Sequence, residues 1–348
     1  MDILMMFLIV VFLMYLITSK AAVVNVESNF FDKNNSNAMR GFWCLVVVMV
    51  HVPSVHGNII QDLISSFGFI GVTFFFLTSS YGLTLAMNKR NNLIKSFWRK
   101  RLPKLFITCW VTNIIYMLTM WVIADGKMSW ISIFEIDIWV RWMIACYIFF
   151  WISHILLSKK PILCNLVICI SIAVFSLCFY LMQFTGKYTK TVWSTEIFGF
   201  IWGILLAWSA SAFYNFFREK WIAKMGASFV AGIILGGFYL QFKYVPFYGD
   251  YLLKILLGFS ITLFVLISNV KLKYGNKISN FLGEISFEIY LLHQKVFIIV
   301  DSITNGKLSS GIFIIVCLIV TCVLAYITHI FVVWMISLLK KYSALAVD

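Results

Sequence analysis

The sequence predicts an all-α, polytopic membrane bundle, and three observations carry that prediction. Of 348 residues, 62% are hydrophobic and 12% charged, against about 25% charged in soluble domains. The apolar residues gather in eleven runs that read as membrane crossings. The basic residues sort by alternate loops, as they do when one side of a bilayer is cytoplasmic. At about 20 residues per crossing plus short loops, the length leaves nothing for an added soluble domain.

The expected crossings are residues 3–19, 41–56, 67–87, 104–124, 138–157, 162–184, 196–216, 222–241, 251–268, 281–300 and 311–339. The first is not an ordinary signal peptide. Asp2 stands where a basic residue is usual and Lys20 follows the apolar stretch, so an uncleaved anchor is expected. The last run exceeds one bilayer thickness and is expected to tilt or extend beyond the hydrocarbon. Twenty of the 28 Lys and Arg fall in one set of loops and the C-terminal end. Five (Lys127, Lys187, Lys190, Lys243 and Lys307) fall in the opposite set, and Arg141, Lys254 and Lys295 lie within spans. That asymmetry predicts an outside N-terminus and a cytoplasmic C-terminus. It also explains the net charge of +14 without nucleic acid.

Gly199 with Gly203, and Gly232 with Gly236, have the spacing of close helix contacts. All eight cysteines lie in apolar runs without a CxxC pair, so they read as packing residues, with neither a disulfide framework nor a metal site.

No GxGxxG, GKS/T, HExxH or GxSxG signature is present. Chemistry is therefore sought among ionisable residues within spans, which are costly in lipid and mark function by default. Arg40 opens the second span and His51 lies eleven residues on. On a continuous helix the two share a face to within about 20°, with His51 about 16 Å deeper. Pro53 follows, so the Met49 carbonyl should lose its helical donor and leave a polar dent beside the imidazole. Burial favours an uncharged ring, the form a general base needs. The bland alternative is an Arg snorkelling to headgroups and a His bonded to nearby backbone.

The third span reads GVTFFFLTSSYG over 71–82, where Ser79 and its neighbours either line a pocket or bond their own helix. Behind it, residues 88–104 carry Lys89, Arg90, Lys95, Arg99, Lys100, Arg101 and Lys104 and no acid. Arg101 and Lys104 would share a helix face suited to phosphates, although such a stretch also serves as a positive-inside signal. In the tenth span, Ser286, Tyr290 and His293 cluster on one side of the wheel. Glu284, Glu288 and Lys295 cluster opposite and read as a mutually neutralised stripe. His56, His154 and His329 stand alone near span ends and read as structural.

Four features in order make the chain resemble membrane-bound acyltransferase family 3, the polytopic O-acyltransferases of bacterial surface polysaccharides. They are Arg-x10-His at Arg40 and His51, the Gly-Val-x-Phe-Phe-x-x-Ser run from Gly71 to Ser79, the basic segment at Arg101, and Ile-Ser-Phe-x-Ile-Tyr-Leu-Leu-His from Ile285 to His293. The likeness spans roughly residues 39–340, which sets an extra helix and linker at 1–38 apart from an acyltransferase domain at 39–348.

The resemblance implies an acyl-CoA donor, commonly acetyl-CoA, entering from the cytoplasm. It implies a hydroxyl acceptor on a glycan or lipid-linked sugar, and a bacterial cytoplasmic membrane as the location. Arg40 and His51 are implied as the critical pair, Arg101 and its neighbours as donor contacts. His293, Tyr290 and Ser286 are expected to complete the site. The donor is substrate, so neither a resident cofactor nor a metal is expected.

The sequence departs from the family pattern at Ser80, where Gly is usual, and at Lys104, where Arg is usual. Around Trp139 the usual Trp-Ser-x-x-x-Glu-Glu segment is not matched. The C-terminal hydrolase-like domain of larger members has no counterpart, so a final hand-over would fall to another polysaccharide-assembly protein or to none. A polysaccharide or lipid-linked sugar exporter is the alternative reading, and a non-catalytic partner in envelope assembly is a weaker third.

Overall fold

The computed structural model describes residues 2–24, 27, 30–89, 93–124, 130–185 and 193–345. Arg90, Lys127, Lys187 and Lys190, counted above by sequence, lie outside them. The described residues form an all-helical bundle, and each of the eleven expected crossings overlaps a helix. The chain order is α1 (Asp2–Thr18), α2 (Lys33–Val50), α3 (Ile59–Phe67), α4 (Phe69–Lys89), α5 (Phe97–Ala124), α6 (Ile138–Leu156) and α7 (Pro161–Met182). It continues with α8 (Phe198–Arg218), α9 (Trp221–Phe242), α10 (Lys254–Asn269), α11 (Lys277–Glu284), α12 (Ser286–Thr304) and α13 (Ser310–Leu345). A two-residue ladder between Ala22–Val23 and Leu272–Lys273 ties the segment after α1 to the α10–α11 connection.

Eight helical stretches among the described residues are long and apolar enough to cross a membrane. The expected spans missing from those eight are α1, at 17 residues, and α2 and α12. The polar run Lys33–Asn37 lowers the hydropathy of α2, and Glu288, His293, Lys295 and Asp301 lower that of α12.

Local chemistry sets the helix ends. Asp32 caps α2 by accepting from the Asn35 N–H at 2.8 Å, and Asn58 caps α3 through Gln61 N–H at 3.0 Å. Asn276 caps α11 through two N–H groups, each at 2.9 Å. Pro161 opens α7, where its missing N–H costs nothing.

The second crossing departs from expectation. It stops at Val50 instead of running to residue 56. Pro53 supplies no N–H and disfavours helical geometry at Val52. The chain then turns through a 3-10 stretch, Ser54–His56, into α3, which leads into α4. The Met49 carbonyl is not left open as a polar dent, because the Gln61 amide donates to it at 3.0 Å.

Glycine decides how closely α4 and α8 approach. A Cβ at Gly199 would lie 2.0 Å from the Thr73 carbonyl oxygen, and one at Gly203 would lie 1.9 Å from Ser80 Oγ and 2.3 Å from the Leu77 carbonyl oxygen. Ser80 is thus accommodated by a glycine across the interface. Gly41 on α2 and Gly283 on α11 pack in the same way, each against the other helix's backbone.

Candidate active site

Two cavities open toward opposite ends of the bundle, and no residue lines both. The first, about 390 Å³, sits among the middle of α2, the second half of α4, the start of α5 and α6. Its wall includes Arg40, Ser79, Lys100, Arg101, Lys104 and Tyr147, with four cations and no carboxylate in the lining. This is the basic end of the bundle. The second, about 530 Å³, sits among the end of α2, α3 and the start of α4, together with the ends of α7 and α9 and the start of α10. His51 belongs to this far cavity.

Arg40 is held by the break between α11 and α12. That break leaves Ser286 fully buried as the first residue of α12, where its hydroxyl donates to the Gly283 carbonyl and accepts from Arg40 Nη2 at 2.9 Å. The guanidinium lies 5.8 Å from the centre of the Phe75 ring, and its Nε is buried without a partner. Ser79 lies on α4 within hydrogen-bond distance of the Tyr147 hydroxyl, at 2.8 Å. Arg101 and Lys104 reach the cavity from α5 as expected. Arg99 does not: it is exposed and outside the lining, and Lys100 takes that place.

His51 follows the last residue of α2, and its Nδ1 lies 2.9 Å from the Val47 carbonyl. A carbonyl only accepts, so Nδ1 carries the hydrogen, and in the neutral ring Nε2 holds the lone pair. Nε2 has no hydrogen-bond partner among the described residues. His293 shows the same tautomer, donating from Nδ1 to the Tyr290 carbonyl at 2.5 Å, with Nε2 buried and unpartnered. The two rings meet edge to face with centroids 4.9 Å apart.

Arg40 and His51, expected on one face of a continuous helix, do not line one cavity. Arg40 lies midway along α2 and His51 just past its end, about 16 Å of helical rise apart, and each faces a different cavity. An aromatic partition fills the space between. Trp139 lines the basic cavity and packs on Tyr290 at 5.2 Å, Tyr290 packs on His293 at 5.6 Å, and His293 meets His51. Ser286, Tyr290 and His293 share one side of α12 but divide their work: Ser286 serves Arg40, while the other two stand in the partition.

The opposite side of α12 also differs from expectation. Glu288 is fully buried and pairs with His329 Nδ1 at 2.9 Å, with Lys104 Nζ at 3.9 Å. Lys295 donates to Thr112 Oγ1 and the Leu291 carbonyl, and Glu284 is exposed. His329 is thus no isolated residue, and neither is His56, whose Nε2 meets Asp301 at 3.0 Å. A buried carboxylate needs such a partner, because an unpaired one costs several kcal/mol.

Glu196 and Lys254 escaped the sequence reading as a pair. Glu196 is 2% exposed and lies 2.6 Å from Lys254 Nζ in the far cavity. The signal was present twice: a lysine within a span demands a carboxylate, and Trp193-Ser194-Thr195-Glu196 brings tryptophan, serine and carboxylate together just before a span. Among the described residues, no group of three or more His, Cys, Asp or Glu is placed to hold a metal ion.

No curated protein and no solved structure matches the chain. A family model described as an acyltransferase domain matches residues 33–332. The match begins at the first residue of α2, ends inside α13 and takes in every residue of both cavities. The chain therefore belongs to acyltransferase family 3, as a multi-pass membrane acyltransferase.

Proposed function

We propose that this protein is an O-acyltransferase of a bacterial cytoplasmic membrane, moving an acyl group, acetyl by preference, from acyl-CoA to a hydroxyl of an exported or surface polysaccharide. The basic end then faces the cytoplasm, with the N-terminus outside and the C-terminus inside, following the loop charges. The observation that carries the reading is the basic cavity: four cations and no lining carboxylate match a donor whose charge is concentrated in phosphates.

Arg101, Lys104 and Lys100 hold those phosphates, while Arg40, fixed by Ser286, guides the arm of the donor inward. The acyl carbon must pass the partition of Trp139, Tyr290 and His293 to reach His51. Neutral His51 takes the proton of the acceptor hydroxyl at Nε2 as the oxygen attacks the thioester carbonyl. The C–S bond breaks, the thiolate of CoA leaves, and the proton held by His51 restores the thiol. Transfer from thioester to alcohol is downhill, so the residues need only position and deprotonate. His293, with its own lone pair 4.9 Å away ring to ring, keeps a second acceptor beside that proton.

The test is release of free CoA from acetyl-CoA by purified protein supplied with candidate glycans. Turnover that requires both substrates and disappears in His51→Ala, with the variant still folded, supports the reading. A folded His51→Ala protein that releases CoA at the normal rate removes the proposed base.

A further inference from the structure

A third cavity, about 460 Å³, lies at the basic end of the bundle and shares no residue with the other two. It forms where α1 and α10 end and α2 and α11 begin. The ladder between Ala22–Val23 and Leu272–Lys273 is extended by the Val24 N–H, which donates to the Lys271 carbonyl at 2.8 Å. It holds the segment after α1 against the α10–α11 connection. A tight turn stands at each side: Lys20 has a φ of 63° and Gly275 one of 101°. Only glycine fits the second, because a Cβ there would also lie 2.3 Å from that of Ala38.

Three lysines from three elements meet in the wall. Lys20 comes from the turn after α1, Lys273 from the ladder and Lys277 from the first residue of α11. None of them has an ion pair among the described residues. Glu284 is the one carboxylate of the lining, so the wall stays cationic. Ammonium groups gathered in this way repel one another, and an anion between them relieves the repulsion. The first N–H groups of α11 are already taken by Asn276, which leaves that anion to the lysines.

Asn280 adds a second signal in the same wall. Its Nδ2 donates to the Asn276 carbonyl at 3.0 Å, while its Oδ1 is buried without a partner. A buried acceptor left unpaired is costly. Together with the Glu284 carboxylate it calls for a ligand that carries hydroxyl donors beside its negative charge.

The cavity also borders the apolar flank of the bundle. Phe281 lines it, is 39% exposed and packs against Tyr326 of α13 at 5.4 Å between ring centres. Ile278 on α11 and Tyr15 on α1 are exposed as well, and α1 lies against both α11 and α13. A soluble phosphate would use the lysines and leave this surface bare. A phospholipid would use both, as basic pockets between helices at the cytoplasmic side do.

We infer that this cavity is a binding site for phosphatidylglycerol from the leaflet at the basic end. Lys20, Lys273 and Lys277 hold the phosphodiester, the glycerol hydroxyls donate to Glu284 and Asn280 Oδ1, and the acyl chains run along Phe281 and α13. Phosphocholine has no hydroxyl to donate, and phosphoethanolamine would bring a fourth ammonium into the cluster. The bound lipid fastens α1, which precedes the family match, to α11, which packs backbone to backbone on α2. The site is independent of which substrates the other two cavities take.

The test titrates delipidated full-length protein in dodecyl maltoside with phosphatidylglycerol, phosphatidylethanolamine, phosphatidylcholine and free glycerol phosphate. Binding is read by displacement of a fluorescent phosphatidylglycerol, and stability by melting temperature. Phosphatidylglycerol should displace the probe and raise the melting temperature by several degrees, with the other three at least about tenfold weaker. Combining Lys20→Gln, Lys273→Gln and Lys277→Gln should weaken phosphatidylglycerol binding about tenfold or more. Combining Lys159→Gln, Lys160→Gln and Lys341→Gln, exposed positions outside the cavity, should change it less than about twofold. The comparison of lipids on the unaltered protein needs no variant to fold. Equal binding of phosphatidylcholine, or equal loss in both triple variants, overturns the inference. So does glycerol phosphate acting as well as the lipid, which assigns a soluble ligand, or displacement of the probe by acetyl-CoA, which joins this cavity to the donor's.

Discussion

The two cavities at either end of α2 share walls of α2 and α4 yet differ in charge, and the difference separates what each can bind. At the basic end, Arg40, Lys100, Arg101 and Lys104 line the cavity with no acid among them. At the far end, two lysines are balanced in number by two carboxylates, and Lys254 pairs directly with Glu196. Excess cation in a confined, partly dehydrated space attracts phosphate over distances of about a Debye length. Balanced charge does not attract at range and instead fixes directions for hydrogen bonds. One end is therefore suited to capture by charge, and the other to recognition by shape. Glu288 refines the contrast, standing 3.9 Å from Lys104 behind the basic wall and bound to His329, where it limits the excess without facing the ligand.

The largest expected effect breaks the chemistry without touching capture. His51→Ala should lower acyl transfer by about a hundred- to ten-thousandfold, while equilibrium binding of acyl-CoA stays at the wild-type value. Weakened donor binding in that variant would place both substrates in one compartment and erase the distinction between the ends.

The next effect reverses that pattern. Replacing Arg101 and Lys104 together by Ala removes two charge-assisted contacts of about 1.5–3 kcal/mol each at most. The donor KM should rise roughly ten- to a hundredfold, and the acceptor KM should hold. Arg99→Ala, from an exposed position outside the cavity, should change the donor KM less than about twofold.

A smaller effect falls on both ends at once. Gly203→Ala pushes a methyl against the Leu77 carbonyl at 2.3 Å as well as Ser80 Oγ at 1.9 Å. Overpacking of this kind costs about 1–3 kcal/mol, read as a lower melting temperature in detergent. Ser80→Gly should fail to restore it, because the backbone clash remains. Full rescue would show that only the serine is in the way.

Salt gives the mildest readout. Raising NaCl from about 0.05 to about 0.5 M screens the exposed cations of the basic end, so the donor KM should climb a few-fold while the acceptor KM stays flat. Equal salt dependence of both constants would contradict the charge contrast.

Much of the architecture was legible because lipid imposes a simple rule on sequence. A crossing must be apolar and satisfy its own backbone, so each of the eleven runs appears as a helix. Where the reading failed, a local signal was overruled or a partner was unknown. Pro53 was read as a dent in a continuing helix, but it ends α2 and lets Gln61 fill the space. Glu288 and Lys295 looked mutually neutralising on a helical wheel, yet each found a better partner on another helix. Of the candidate residues, Arg40, Ser79, Arg101 and Lys104 meet in one cavity, while His51 lies in another. Glu196, Lys254 and Asp250 were passed over because their significance lies in convergence from three separate elements.

Composition and order along the chain determined that this protein is a helical membrane bundle, that its polar residues are concentrated on α2, α4, α5 and α12, and which family it resembles. Those properties follow from periodicity and transfer free energy, which act on each segment alone. Only the tertiary structure decided that Arg40 and His51 face different compartments, that a ring partition separates them, and which carboxylate answers which cation. Such outcomes depend on where one helix stops and how closely another approaches, and no single segment holds that information.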